Sequence, residues 1–221
     1  MKRSSILAHR GLFLTNDEKN TVTSLQRALD QGFGIETDIR DLDAEIVISH
    51  DPPYRNNNIT SIEWLLEYLS LNRMPSRIAL NIKSDGLAKK LSDLVGYHNI
   101  LPDNLFVFDM SVPDGLKYIE NDIPTYSRVS EYEREPSCLH SICGIWVDNF
   151  TGAFPQVKIA QSFLDMGLRT ALVSSELHGR DYRGLWADIL SSGIYKHPLF
   201  ELCTDFPIQA AQIFSISGLY D

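Results

Sequence analysis

Cysteine is scarce in this chain. Cys138, Cys143 and Cys203 are the three in 221 residues. An odd number without Cys-x-x-Cys spacing excludes a disulfide framework and a zinc ribbon, and fits reduced thiols in a reducing compartment. Long apolar runs are missing too. No stretch approaches the roughly 20 apolar residues of a membrane span. The first apolar run, Ile6-Leu7-Ala8, is too short for a secretion signal and meets His9-Arg10 at once. The expected location is therefore cytoplasmic. Positive charge is in short supply as well, with 20 Lys and Arg against 29 Asp and Glu, a formal net charge of −9. Nucleic acid is thereby excluded as the main partner, because its binding relies on neutralising phosphates with Lys and Arg. A small phosphate ester in a locally positive pocket is not. There is no linker, low-complexity stretch or charge run, so residues 1–221 read as one domain. The composition, 43% hydrophobic and 22% charged, supplies one well-packed core. Nothing in the sequence fixes an oligomeric state.

What the chain does have is alternation. Short apolar runs at Ile6–Ala8, Gly34–Arg40, Arg77–Lys83, Leu105–Phe108, Pro124–Val129, Gly144–Asp148, Leu168–Ser174 and Phe200–Thr204 read as strands. Glu45–Ser49 is an extended partner of the second. Helical spacing appears between them, as in Val22, Leu25, Ala28 and Leu29, stopped by Gly32, or in Ile62, Leu65, Leu66 and Leu69. The stretch from Glu131 to His140 is irregular. Pro207, at a favoured first-turn position, opens a last helix. Eight strand–helix units predict an α/β fold, a compact (β/α)8 TIM barrel. The alternative is an open doubly wound sheet, which would want a Gly-rich phosphate loop after the first strand. His9-Arg10-Gly11-Leu12 is not one.

Within this frame the strand ends carry the chemistry. Glu36 and Asp38 are one residue apart, so on an extended strand both carboxylates leave the same face, with Ile35 and Ile39 on the other. Two hard oxygen ligands side by side suit Mg²⁺ or Ca²⁺. His9-Arg10 ends the first strand and His50-Asp51 the extended partner. Asn81 and Lys83, Asp109, Arg128, Asp148, Glu176 and Asp205 end later units. A barrel brings all of these to one mouth. Glu176 reads equally well as a possible substrate contact or a loop cap; Asp148 and Asp205 also fit simple loop caps.

Ala8-His9-Arg10-Gly11, Lys19-Asn20-Thr21, Gly34-Ile35-Glu36-Thr37-Asp38, His50-Asp51, Asn81-Ile82-Lys83 and Thr204-Asp205-Phe206-Pro207 together resemble the glycerophosphodiester phosphodiesterases. The resemblance spans nearly the whole chain. It implies a barrel enzyme that hydrolyses a small phosphodiester with a divalent cation. It also implies His9 and His50 as the acid–base pair, Glu36 and Asp38 as metal ligands, and Arg10 and Lys83 on the phosphate. Imidazole titrates near pH ~6.5, which suits both proton-transfer roles. The nucleophile is water or a neighbouring hydroxyl of the substrate.

The chain departs from that family twice. Where the family commonly carries a third metal-binding Glu, this chain has Asn81, whose neutral carbonyl oxygen keeps a ligand and drops a charge. And only Pro52 to Ser61 separates the His-Asp motif from the next helix, leaving no room for the family's usual inserted subdomain. A barrel that binds a phosphorylated ligand without turnover is the other reading, with Asn81 as its mark.

Overall fold

The computed structural model describes residues 1–54, 59–72 and 76–214. In chain order these form β1 (Ile6–His9), α1 (Val22–Asp30), β2 (Gly34–Leu42), β3 (Glu45–Ile48), β4 (Thr60–Ser61), α2 (Ile62–Asn72), β5 (Ile78–Ile82) and α3 (Ala88–Tyr97). Then follow β6 (Leu105–Phe108), α4 (Val112–Glu120), β7 (Tyr126–Val129), β8 (Gly144–Val147), α5 (Gln156–Asp165), β9 (Arg169–Val173), α6 (Arg183–Ser192), β10 (Phe200–Thr204) and α7 (Pro207–Phe214).

Eight strands run parallel in the order β7-β8-β9-β10-β1-β2-β5-β6. A parallel bridge between Val107 and Thr125 connects β6 to the segment entering β7, and Val107 N donates to the Pro124 carbonyl at 2.9 Å. The antiparallel pair β3 and β4 extends outward from β2. Its role is to carry the chain from Asp38 to His50. Residues 55–58 of the stretch from Pro52 to Ser61 lie outside the described residues.

The alternation read from the sequence is present with one difference. Among the described residues seven α-helices accompany the eight parallel strands, because residues 130–143 between β7 and β8 form turns. Pro136 in the middle of that segment would break a helix through it. Among the described residues no helix is long and apolar enough to cross a membrane.

Alternation along each strand separates two apolar layers. Ile35, Leu80, Val107, Ile145, Leu172 and Leu202 face the helices. Leu7, Ala79, Phe106, Phe108, Tyr126, Trp146, Ala171 and Cys203 face inward, away from them. Inside, Phe106 stacks on Tyr126 with ring centroids 3.7 Å apart and Phe108 on Trp146 at 3.8 Å. These rings fill the interior, so the polar groups above them have a rigid floor.

The end from which the strands begin is closed by a charged plug. Arg77 Nε donates to Glu201 Oε1 at 2.8 Å and Nη2 to the Tyr126 hydroxyl at 2.8 Å. Tyr126 in turn donates to Glu201 Oε2 at 3.0 Å, and Arg77 Nη1 reaches the Asp103 carbonyl. Burial works against the charge on Arg77, but Glu201 and Tyr126 more than restore it and hold the guanidinium protonated. Every partner of this buried pair is satisfied. Removing one member strands a buried charge, which typically costs about 3–5 kcal/mol. Glu201→Leu and Arg77→Leu should each lower unfolding free energy by about that much, and the double variant by clearly less than the sum. Urea denaturation of the four proteins measures this. Single variants within ~1 kcal/mol of the parent would show that the plug is not a stabilising unit.

Candidate active site

β1 and β2 pair so that His9 lies opposite Glu36, and β2 and β5 so that Asp38 lies opposite Asn81. The same register that buries Ile35 and Ile39 under the helices therefore turns Glu36, Asp38 and Asn81 inward. Glu36 and Asp38 are 2% and 0% exposed. Just past His9 the chain turns sharply, with Arg10 at φ 55° and Gly11 at φ 89°. A Cβ on Gly11 would sit 2.6 Å from the Ser24 carbonyl carbon, so only glycine fits. This turn folds Arg10 back over β2. Its amide donates to the Glu36 carbonyl at 2.8 Å, and its Nε lies 3.0 Å from Asp38 Oδ2. Lys83 Nζ lies 3.4 Å from Asp38 Oδ1. Asn20 clips the assembly together, donating to Asp38 Oδ2 and accepting from the Thr37 hydroxyl, both at 2.8 Å.

Two carboxylates so close and so dry compete for positive charge. Burial and the neighbouring Asp38 push Glu36 up to about 7, although His9, Arg10 and Lys83 pull against them. Asn81 Nδ2 donates to Glu36 Oε1 at 3.3 Å. Asn81 Oδ1 and Asp38 Oδ1 remain buried without a hydrogen-bond partner among the described residues. Three oxygen donors, two of them lacking a proton to accept, fit a hard divalent cation. Among the described residues no group of three His, Cys, Asp or Glu side chains converges in this way; the set is two carboxylates and an amide carbonyl.

The histidine beside them is held from the opposite side. His9 Nδ1 pairs with Asp205 Oδ1 at 2.6 Å, leaving Nε2 3.9 Å from Glu36 Oε2. Burial would raise the Asp205 carboxyl, but the bond to His9 and the charges of His9 and Lys19 outweigh it and hold Asp205 below its usual range. Asp205 therefore accepts, and the proton sits on Nδ1. Glu176 braces this strand end, accepting from the Asp205 amide at 3.1 Å and from the hydroxyls of Thr204 and Ser174.

Of the residues named from the sequence, His9, Arg10, Glu36, Asp38, Asn81 and Lys83 meet in one cluster. His50 stands apart. Its backbone follows Ser49, whose amide donates to the Asp38 carbonyl at 3.0 Å. Its ring is half exposed and turned to Asp51, with Nδ1 2.8 Å from Oδ1. Among the described residues it makes no hydrogen bond or ion pair with His9, Glu36 or Asp38. Glu176 lies at the mouth, with both oxygens engaged in the brace. Sequence reading gave no role to the pairings His9–Asp205 and Asp148–His178 or to Asn20. Position at a strand end was the signal available for both aspartates.

No family model and no curated protein matches the chain. Solved structures do. A glycerophosphodiester phosphodiesterase from Agrobacterium tumefaciens str. C58 superposes with a TM-score of 0.67 at 18% identity, over 96% of this chain and 99% of that one. One from Parabacteroides distasonis ATCC 8503 gives 0.66 at 16%, over 96% and 97%. A glycerophosphoryl diester phosphodiesterase from the same organism gives 0.66 at 14%, over 94% and 85%. The chain has the glycerophosphodiester phosphodiesterase fold.

The raised Glu36 carboxyl makes a pH prediction, to be measured with EDTA present. A carboxyl whose folded pKa lies above its unfolded value contributes stability below the unfolded pKa and loses it as pH rises. Between pH 4.5 and about 7 the folded state binds the extra proton, so stability should fall across that window. Glu36→Gln should flatten the fall. Denaturation midpoints measured across the window test this; parallel curves for parent and variant would show that Glu36 titrates normally.

Proposed function

We propose that the protein is a metal-dependent phosphodiesterase acting on a small, glycerophosphodiester-like substrate at the C-terminal mouth of a closed (β/α)8 barrel. The Val107–Thr125 bridge supports closure. The observation that carries the function is the buried Glu36–Asp38 pair beside the His9–Asp205 couple, in a fold similar throughout to solved phosphodiesterases.

A phosphodiester is an anion, and attack on phosphorus adds charge, so a site for it needs positive groups already in place. Arg10 and Lys83 flank Asp38 with their side chains 23% and 21% exposed, which leaves donors free to bind the phosphate oxygens. Glu36, Asp38 and the Asn81 carbonyl would hold Mg²⁺ or Ca²⁺, which supplies further charge against the developing oxyanion. His9 Nε2 takes or gives a proton while Asp205 keeps Nδ1 protonated and the ring oriented. His50, free on one side at the rim, is the second proton carrier. Its exposure suits a group that reaches the departing or attacking oxygen from the solvent side.

Hydrolysis of an aryl phosphodiester such as bis(4-nitrophenyl) phosphate tests the reading. Activity should vanish with EDTA and return with Mg²⁺, Ca²⁺ or Mn²⁺, since carboxylate sites select hard ions. His9→Ala and His50→Ala should each lower kcat by ~10²-fold or more with the fold retained. Unchanged turnover in chelated protein would contradict the metal. A histidine variant as fast as the parent would remove that residue. No turnover with any ion would favour a barrel that only binds a phosphorylated ligand.

Asn81 generates a separate test. With two charged ligands instead of three, cation affinity should be modest. Titration calorimetry of Mg²⁺ or Ca²⁺ should show tighter binding for Asn81→Asp or Asn81→Glu and weaker for Asn81→Leu. Equal affinities in all four proteins would place Asn81 outside the coordination sphere.

A further inference from the structure

The two oxygens of the Asp38 carboxylate are treated differently. Oδ2 accepts from Asn20 Nδ2 at 2.8 Å, the one hydrogen bond that this side chain accepts among the described residues. Arg10 Nε lies 3.0 Å from the same oxygen. Oδ1 accepts no hydrogen bond and has the Lys83 ammonium 3.4 Å away. The side chain is 0% exposed, so solvent does not even out the difference.

Asn20 is held so as to keep this asymmetry. A carboxylate only accepts, so the amide nitrogen must face Asp38 and the amide oxygen must face elsewhere. That oxygen accepts from the Thr37 hydroxyl at 2.8 Å, which secures the amide against a flip. Thr37 is buried and lies between Glu36 and Asp38 on β2, so two consecutive side chains of one strand close on the same amide. The backbone of Asn20 is held as firmly. Its φ of 60° lies in the left-handed region, which asparagine tolerates better than most residues. Its N–H donates to the Arg10 carbonyl at 3.0 Å, and that carbonyl also accepts from Ser24 Oγ at 3.2 Å. Thr21, next in the chain, caps α1 by accepting from the Ser24 amide. Asn20 is therefore not free to follow Asp38 if the carboxylate turns.

We infer that Asn20 is a positioning residue that keeps Asp38 monodentate, and that the site thereby selects Mg²⁺ over Ca²⁺. The inference rests on the cation site proposed above. With Oδ2 engaged by Asn20 and Arg10, Asp38 offers an ion Oδ1 alone. Mg²⁺ demands near-octahedral geometry at short bonds, is served by one or two carboxylates and keeps several waters. Ca²⁺ takes about six to eight oxygens in a looser shell and gains from a bidentate carboxylate. A carboxylate prevented from turning both oxygens to the ion therefore penalises the larger cation. Asn20 acts on the ion only through Asp38, as an outer partner that fixes how a ligand is presented.

Titration calorimetry with MgCl₂ and CaCl₂, each against the parent, Asn20→Gly and Thr37→Val, tests the inference without recourse to activity. The parent should bind Mg²⁺ more tightly than Ca²⁺. Asn20→Gly deletes the side chain and keeps the left-handed backbone. It should lose about 10- to 100-fold in Mg²⁺ affinity, the usual effect of removing an outer partner of a ligand, and clearly less in Ca²⁺ affinity. Thr37→Val replaces the hydroxyl by a methyl and frees the amide to flip, so its Mg²⁺ preference should fall by a smaller factor. Ca²⁺ binding reports that the site of each variant is intact. Equal losses for both ions would make Asn20 merely structural and overturn the inference. So would a parent that prefers Ca²⁺. If the parent binds neither ion, the cation site itself fails; if it binds Mg²⁺ with the same preference in all three proteins, only the role of Asn20 does.

Discussion

Glu36 and Asp38 lie side by side on one strand, inside a barrel-like sheet and almost wholly out of water. Two carboxylates in that position repel each other in a medium that screens them poorly. Much of the upper half of the molecule can be understood as the response. Arg10 and Lys83 bring positive charge to Asp38, and Asn20 gives it a hydrogen bond. Asn81 reaches Glu36 with an amide proton, and the charge that is still missing shows as a carboxyl pushed upward. The backbone bends to make this possible, with Arg10 and Asp109, both just past strand ends, in the left-handed region.

The two ends of the strands make an instructive contrast. Both bury ionised side chains. At the lower end Arg77, Glu201 and Tyr126 satisfy one another completely, and nothing is left to bind. At the upper end Asp38 Oδ1 and Asn81 Oδ1 accept no hydrogen bond among the described residues, and the former has the Lys83 ammonium 3.4 Å away. A buried polar network that is fully paired specifies structure; one left incomplete is costly unless something else completes it. That difference, more than the residue types, separates a plug from a site.

Much of this was legible in the sequence because it depends on local periodicity. The two-residue period of strands set Glu36 and Asp38 on one face and turned Asn81 away from Leu80 and Ile82. The eight apolar runs gave the alternation of strands and helices. Other features depend on contacts that no local pattern encodes. His9 meets Asp205 across 196 residues because β1 pairs with β10. Asp148 meets His178 because β8 and β9 are neighbours, and residues that look like loop caps in isolation become partners. The orientation of His50 is a rotamer outcome at an exposed end. Position along a strand could not foretell that its ring would turn to Asp51.

The central claim is that Glu36, Asp38 and Asn81 together form an incomplete oxygen cage that a hard divalent cation completes. Crystals of the protein grown with Mn²⁺ would address it directly, because anomalous scattering locates the ion without assumption about its ligands. The account predicts one strong peak within bonding distance of carboxylate oxygens of Glu36 and Asp38 and of Asn81 Oδ1, with water filling the remaining positions. A mouth without a peak at saturating Mn²⁺, or a peak held by Asp109 and Asp148 instead, would contradict it.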